Sequence, residues 1–302
     1  MSIRVTSGMM NSQLLSNLNR NNYSMNKMEN QISTGRKLNK PSDDPVGVTY
    51  ALRYRSDLAS NEQYKTSTDA AIGWLDTTDT NMSQASEVMH RIKDLTVQGA
   101  NGTLPQSGMD AVDQEIKELK QLLVGIGNTQ IRGKYIFNGQ QYDKAPYQLT
   151  DTVLNFSDIN PDTAAVEYSI GDEVTFRMNT SGSEFFGTST DADNVFKVLD
   201  DLSAALASGN TAAISAQLVN IESRSTKMLA SQTEVGARTN RIELVQNRLT
   251  DGNLNLTTLQ SKVEDADIAS LLIQATSAQT IYQAALKSSA QIMSTSLMDY
   301  MR

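Results

Sequence analysis

One apolar side chain recurs every seven residues along the second half of the chain. The positions are Ile214, Ile221, Met228, Val235, Ile242, Leu249, Leu256 and Val263. A seven-residue apolar period is typical of a long helix that packs lengthwise against other helices. The partner positions four residues further on are mostly polar: Leu218, Ser225, Gln232, Thr239 and Gln246. Because one apolar contact per heptad is too little for a two-stranded coiled coil alone, the pattern predicts a helix within a bundle.

The five prolines divide the chain, because proline interrupts helix interiors and favours helix starts. No proline occurs in residues 46–104 or in residues 162–302, so both stretches can hold long helices. Asp44 and Pro45 fit the N-cap and the first position of a helix. The sequence therefore predicts a break between two helices at residues 40–45.

Two further apolar seams follow this break. The first runs through Ala71, Leu75, Thr78, Met82, Ala85, Met89 and Ile92, and the turn dipeptide Asn101-Gly102 ends it. The second runs through Met109, Val112, Ile116, Leu119, Leu123 and Ile126. Ser107 and Asp110 form a capping pair for this third helix. Both seams predict helices that share a bundle with the heptad helix.

Both ends of the chain carry weaker seams. Near the start, the apolar positions are Leu14, Leu18, Met25, Met28 and Ile32, and Asn21 fills one position between them. A buried Asn weakens a helix pair but can fix its register. Near the end, the seam is Ile268, Leu271, Ala275, Ala278, Tyr282, Ala285, Ser289 and Ile292, widened by Leu272, Leu286 and Met293. Small side chains permit close helix approach, yet neither seam is strong enough to hold a helix alone.

The period changes from helical to alternating after Gly133. Residues 166–178 alternate apolar and polar side chains on both sides of Gly171-Asp172, which predicts a β-hairpin. Residues 135–139 and the apolar run 153–156 add strand and turn signals. We therefore expect a small β-rich insert with its own aromatic core.

The predicted fold class is mainly α with a β-rich insert: an elongated α-helical coiled-coil bundle plus a small outer β domain. Residues 1–43 and 262–302 form terminal helices, and residues 44–132 and 192–261 form the long-helix bundle. Residues 133–191 form the β-rich domain. With only 6% aromatic residues, the helical layers must be thin.

The composition leaves few ways to build a reactive site. The chain has no cysteine and one histidine, His90, which excludes thiol catalysis, disulfides, Cys/His zinc sites and His-based triads. Trp74 adjoins an apolar seam, where packing outweighs ligand stacking. The carboxylates of residues 264–267 precede a helix, where capping and the helix dipole explain them. We predict no catalytic residue, no metal site and no cofactor.

The net charge is −8, which argues against nucleic-acid binding as the main task. The first 40 residues are an exception, because they carry six basic residues and only one acidic residue, Glu29. No apolar run is long enough for a membrane span, and the N-terminus lacks the pattern of a cleaved secretory signal. We expect no membrane insertion and no export by the cleaved-signal route.

Two sequence motifs resemble the terminal signatures of bacterial flagellins and their junction proteins. Residues 32–39, ISTGRKLN, run into residues 41–47, PSDDPVG. Residues 261–269, SKVEDADIA, resemble the matching signature at the other end. Residues 133–139, GKYIFNG, and residues 296–300, SLMDY, are more similar to the hook–filament junction members of this superfamily than to flagellin itself.

The resemblance implies an extracellular structural component of the bacterial flagellum. In this family the terminal regions are disordered in the free monomer and become coiled coils in the assembly. The resemblance thus makes the two terminal seams the expected assembly interface. It also implies a homo-oligomeric ring between the hook-side junction protein and flagellin, and export through the flagellar secretion apparatus with a chaperone on the C-terminal region.

Three alternatives remain open from the sequence. The chain could be flagellin, the bulk filament subunit, which differs from a junction protein in its abundance. A soluble coiled-coil signalling adaptor would instead form a stable intracellular monomer or dimer with ordered ends. A peptidoglycan-processing enzyme would need a catalytic acid in the β-rich insert, for which Asp172 and Glu173 are the candidates.

Overall fold

The computed structural model describes the backbone of residues 7–150, 153–154 and 161–300. It describes the side chains of the same residues except 7, 149–150, 153–154 and 291–300. Of the predicted apolar run 153–156, residues 155 and 156 lie outside the described residues.

The described residues form seven helices and six short strands. The helices are α1 (Ser7–Thr34), α2 (Pro45–Ala100), α3 (Gln106–Gly127), α4 (Gly182–Phe186), α5 (Val195–Ala207), α6 (Thr211–Glu264) and α7 (Ile268–Tyr300). The strands are β1 (Gln130–Ile131), β2 (Lys134–Tyr135), β3 (Leu149–Thr150), β4 (Val153–Leu154), β5 (Glu167–Gly171) and β6 (Val174–Arg177). The prediction of a mainly α fold with a β-rich insert is confirmed.

The chain forms two compact units. The terminal unit consists of Met1–Ser60 and Gly252–Arg302, and the central unit consists of Asn61–Asp251. The central unit contains α3, α5, all six strands and most of α2 and α6. The terminal unit contains α1, α7, the start of α2 and the end of α6.

The heptad positions of α6 lie in the core of the central unit. Ile214, Ile221, Met228, Val235 and Ile242 are buried together with the predicted seams of α2 and α3. Two of the polar partner positions make hydrogen bonds to α2 at the edge of this contact. Gln246 donates from Nε2 to Asp69 Oδ1 at 2.6 Å, and Gln232 donates to Asp79 at 3.2 Å. The predicted helix bundle is therefore confirmed, with α6 antiparallel to α2.

The start of α3 corrects one prediction. Pro105, not Ser107, is the N-cap residue, and no side chain caps the helix. The fixed φ of proline, −66°, suits this extended position. Asp110 instead accepts a hydrogen bond from Gln106 Nε2 at 2.9 Å. The start of α2 is as predicted, because the Asp44 carboxylate accepts from Val46 N at 3.1 Å.

The strands form three separate antiparallel pairs, β1–β2, β3–β4 and β5–β6. The predicted hairpin is β5–β6, in which Tyr168 lies opposite Phe176. Its turn holds Glu173 at φ 56°, a left-handed conformation that is uncommon outside glycine. Arg241 of α6 lies over the Phe176 ring at 5.7 Å, which places the hairpin against the bundle.

The aromatic core of the insert is shared with the helices. Phe137, Tyr147, Phe185 and Phe186 pack together, and Phe196 of α5 completes the group at 4.9 Å from Tyr147. The alternating pattern of the insert predicts an aromatic core that belongs to the insert alone. That expectation is wrong, because a short strand pair cannot bury five large rings without a helical surface beneath them.

A buried ion-pair network holds the segment before α5. The Arg224 side chain of α6 donates from Nε to the Asp193 carbonyl at 2.9 Å and from its terminal nitrogen to the Asp193 carboxylate at 2.5 Å. Lys227 Nζ and Ser223 Oγ hold the other carboxylate oxygen at 2.7 and 2.8 Å. Burial alone would raise the pKa of Asp193, but these donors outweigh it and lower the pKa to about 2.

Candidate assembly surface

The two terminal helices, α1 and α7, lie antiparallel in the terminal unit and contact each other. The predicted seam positions of α1 lie on its covered side: Leu14, Leu18, Met25 and Ile32 are half-buried and Met28 is buried. Asn21 shares this face and donates from Nδ2 to the Ala278 carbonyl of α7 at 3.1 Å. The seam Asn thus makes a direct contact between the helices.

The structure divides the predicted residues of α7 into two groups. Leu271, Ala275 and Tyr282 are half-buried and Ala278 is buried, so these positions form the covered side. Ile268, Leu272 and Leu286 are exposed. Ile292 and Met293 belong to α7, but their side chains lie outside the described ones.

Sequence reasoning missed the most exposed apolar residues of α7. Ile273 is 72% exposed and Ile281 is 59% exposed, and neither follows the seam spacing. Among the α7 side chains that the structure describes, the covered positions lie on the side that includes Ala278, and the large apolar residues Leu272, Ile273, Ile281 and Leu286 are exposed.

A cleft of about 370 Å³ lies between the first half of α1 and the second half of α7. Its apolar lining comes from Met10, Leu14, Leu18, Ile281 and Ala285. The helix pair is therefore less completely packed here than at Met28 and Ala278, nearer the middle of the chain. An apolar cleft between helices can receive a further apolar side chain or helix.

The two signature motifs meet at a point that we call the terminal crossing, formed by residues 35–37 and 264–266. Arg36 and Asp265 pair as an isolated antiparallel β-bridge. Lys37 N donates to the Glu264 carbonyl at 2.6 Å, and Ala266 N donates to the Gly35 carbonyl at 3.1 Å. Gly35 adopts φ 69°, which glycine accepts without strain.

The Glu264 side chain is the charged centre of the terminal crossing. It is 2% exposed, and its two oxygens lie 2.7 Å from Nε and 2.7 Å from a terminal nitrogen of Arg55. The hydrogen bond to Glu264 raises the pKa of Arg55 above its usual range. The sequence prediction that capping explains residues 264–267 is correct for Asp267, which accepts from Ser270 N at 3.1 Å, but wrong for Glu264.

A second ion pair braces the segment between α1 and α2. Lys27 Nζ lies 3.0 Å from Asp43 Oδ1, and the other Asp43 oxygen accepts from the backbone of Lys40 and Asn39 at 3.0 and 3.2 Å. The Lys27 hydrogen bond, followed by those from the backbone, lowers the pKa of Asp43. Some of the basic residues near the N-terminus thus form ion pairs within the chain, as Lys27 does with Asp43.

The residues considered for chemistry lie apart from one another. His90 is exposed beside a cleft between α2 and α6, Trp74 is half-buried against the central core, and Asp172 and Glu173 are exposed in the β5–β6 turn. Among the described residues, no three His, Cys, Asp or Glu side chains are grouped as metal ligands. Within that same part of the chain, every helix is too short or too polar to cross a membrane.

Comparison with known proteins covers nearly the whole chain. Residues 5–142 match the family described as the bacterial flagellin N-terminal helical region, and residues 218–301 match the bacterial flagellin C-terminal helical region. The chain is 24% identical to flagellar hook-associated protein 3 of Escherichia coli K12, over 93% of this chain and 96% of that protein. It is also 24% identical to flagellin of Bacillus subtilis 168, over 89% and 90%.

A solved structure shares the fold. The crystal structure of the flagellar junction protein from Legionella pneumophila matches with a TM-score of 0.59 and 14% sequence identity. The match covers 72% of this chain and 100% of that one. At this identity, the likeness shows the fold.

Proposed function

The chain belongs to the bacterial flagellin family, and from this premise we propose that it is a structural adaptor that links the flagellar hook to the filament. The observation that carries the proposal is the set of large apolar side chains that α7 leaves exposed: Leu272, Ile273, Ile281 and Leu286. Such a surface requires a neighbouring chain to bury it.

The mechanism is coupled folding and assembly. A fully buried Leu or Ile contributes roughly 1.5–3 kcal/mol relative to an exposed one. The half-buried seam of α1 and the exposed Leu272, Ile273, Ile281 and Leu286 of α7 leave much of this gain unused in the single chain. Contact with neighbouring subunits buries these side chains, and the free energy gained by burial offsets the entropy lost when the terminal helices become ordered.

Each region of the chain has its own role in this mechanism. Residues 1–43 and 262–302 drive assembly, residues 44–132 and 192–261 form the supporting bundle, and the β-rich region 133–191 faces outward. The subunits form a homo-oligomeric ring that contacts the hook-side junction protein on one side and flagellin on the other. No step in this mechanism needs a catalytic residue, a metal, a nucleic acid or membrane insertion.

The proposed location is the extracellular flagellum. The subunit leaves the cell through the flagellar export apparatus without cleavage, and an export chaperone binds its C-terminal region before assembly. The exposed Leu272, Ile273, Ile281 and Leu286 of α7 support this, because exposed apolar residues favour a partner while the helix is outside the assembly.

The test uses aspartate on the two sides of α7. Leu271→Asp on the covered side and Leu286→Asp on the exposed side should each abolish filament attachment, because a charge cannot be buried there without a partner. The matched control is Leu244→Asp on the exposed surface of α6 in the central unit. Electron microscopy of cells and assay of flagellin shed into the medium provide the readout. Normal filaments in the Leu286→Asp strain would overturn the proposed mechanism.

Flagellin is the second candidate, because the match to the Bacillus subtilis filament protein is as strong in identity as the match to hook-associated protein 3. Location and abundance separate the two. An antibody against the chain should label a single band at the hook–filament boundary and little else. Labelling along the whole filament would replace the junction proposal with flagellin.

A further inference from the structure

We propose that the contact between Arg55 and Glu264 is the joint that positions both terminal helices, and that it forms in the free subunit before assembly. The inference rests on the proposed function, since it identifies the fixed point from which α1 and α7 become ordered. If this contact forms in the free subunit, the segments that become ordered on assembly are α1 and α7, and not the whole of residues 1–43 and 262–302.

The buried charge of Glu264 requires a positively charged partner. A carboxylate that is 2% exposed is tolerated only when it is paired and hydrogen-bonded. Arg55 is the main partner, because both of its contacts to Glu264 are 2.7 Å long, whereas Arg36 Nε lies 3.8 Å away. The planar guanidinium of Arg55 reaches both carboxylate oxygens, donating a hydrogen bond to Oε2 and placing Nε beside Oε1, whereas lysine would offer a single point charge.

The contact lies where it can fix the directions of α1 and α7. Glu264 is the last residue of α6, and the two backbone hydrogen bonds of the terminal crossing join Glu264 and Ala266 to Lys37 and Gly35, just after α1. The beginning of α7 and the end of α1 are therefore fixed by one element. Arg55 and Glu264 are 209 residues apart, so the contact brings the two ends of the chain together.

The packing of the helix pair supports the order of events. The terminal crossing has a buried carboxylate that is ion-paired with Arg55 and accepts one hydrogen bond from it, whereas the far halves of α1 and α7 are half-covered and have the 370 Å³ cleft between them. Regions with few buried contacts open at low free energy. The crossing is thus the part of the terminal unit that stays closed while the far halves open.

The absence of native cysteine allows a direct test by disulfide trapping in the full-length chain. Arg36→Cys with Asp265→Cys probes the crossing, because directly opposed residues of such a bridge lie about 4.5 Å apart between Cα atoms, within disulfide range. Leu14→Cys with Ala285→Cys, which line one cleft, probes the far halves. Both pairs close loops of similar length, so chain entropy does not separate them.

In the free subunit, the crossing pair should form its disulfide at least about tenfold faster than the far pair. In isolated flagella, both disulfides should form. Equal rates in the free subunit would overturn the proposal. A failure of the junction proposal would appear in antibody labelling and would leave these rates unchanged, so the two failures are distinguishable.

Variants of Arg55 test its role. Arg55→Met should slow the crossing disulfide to the rate of the far pair, and Arg55→Lys should restore only part of the loss. Arg53→Met, at an exposed arginine on the same helix, is the control and should have no effect. Fluorescence of Trp74, the single tryptophan, reports whether the central unit remains folded. An unchanged crossing rate in Arg55→Met would show that Arg55 is not the positioning residue.

Discussion

The central unit and the α1–α7 pair use the same kind of apolar spacing but reach different degrees of burial. In the central unit, α2, α3, α5 and α6 share one core in which Leu75, Ile221 and Ile242 are fully covered. In the terminal pair, Leu14 and Leu18 are only half-buried. The comparison shows that a seam specifies which face is apolar, while the number of neighbouring helices decides how much free energy that face contributes.

The polar contacts differ in the same way. The Arg224 network of the central unit lies wholly inside that unit and has several donors on one carboxylate. On the α1–α7 face, Asn21 donates a hydrogen bond to the Ala278 carbonyl, with no charged group involved. The two regions thus differ in the kind of polar contact: a buried ion pair in the central unit and a neutral amide–carbonyl hydrogen bond between the terminal helices.

The largest expected effect is at the buried arginine of the central unit. Arg224→Ala leaves the Asp193 carboxylate without its buried partner, which should lower the unfolding free energy of the central unit by about 3–5 kcal/mol. Urea unfolding followed by Trp74 fluorescence measures this. The control is Lys93→Met, because the exposed Lys93–Glu222 pair should contribute about 0–1 kcal/mol. Equal losses in the two variants would contradict the contrast in burial.

A matched pair of truncations compares the two seams directly. Ile242→Ala removes a fully covered side chain of the central unit and should cost about 2–5 kcal/mol in the same unfolding assay. Leu18→Ala removes a half-buried side chain of α1 and should leave that transition unchanged. A comparable loss in Leu18→Ala would mean that the terminal seam supports the central unit.

Acid should weaken the central unit through Asp193. Its folded pKa of about 2 is below the unfolded value of about 3.9, so its stabilisation is present above pH 4 and is lost as the pH falls towards 2. The pKa difference corresponds to about 2–3 kcal/mol. Urea unfolding at several pH values should show a smaller acid-dependent loss in Asp193→Asn. An identical pH profile in the variant would contradict this assignment.

The smallest expected effect concerns the seam Asn. Asn21→Leu should strengthen the α1–α7 pair by less than about 1 kcal/mol, because an apolar seam residue replaces one hydrogen bond. Circular dichroism of the free subunit should show a small gain in helix. A loss of helix would indicate that the hydrogen bond to Ala278 stabilises the pair more than apolar packing would.

Sequence reasoning was most successful where a repeat reports a contact along one helix. The heptads of α6 and the seams of α2 and α3 predicted the buried positions. In a long helix, the spacing of the apolar residues in the sequence directly defines the face that packs into the core. The alternation around Gly171 predicted β5–β6 for the same reason.

Sequence reasoning was least successful where distant residues meet. Nothing near Glu264 in the sequence distinguishes it from a capping carboxylate, and its partner Arg55 is 209 residues away. Phe196 likewise completes the aromatic group from outside the predicted insert. The exposed Ile273 and Ile281 were missed because a search for one seam ignores apolar residues on the other faces.

Hydrogen exchange on the free full-length subunit and on isolated flagella tests most directly whether the terminal helices complete their burial only in the assembly. Amides of residues 7–34 and 268–300 should exchange quickly in the free subunit and slowly in flagella, while residues 61–251 stay protected in both. Strong protection of residues 7–34 in a subunit verified to be monomeric would contradict the account.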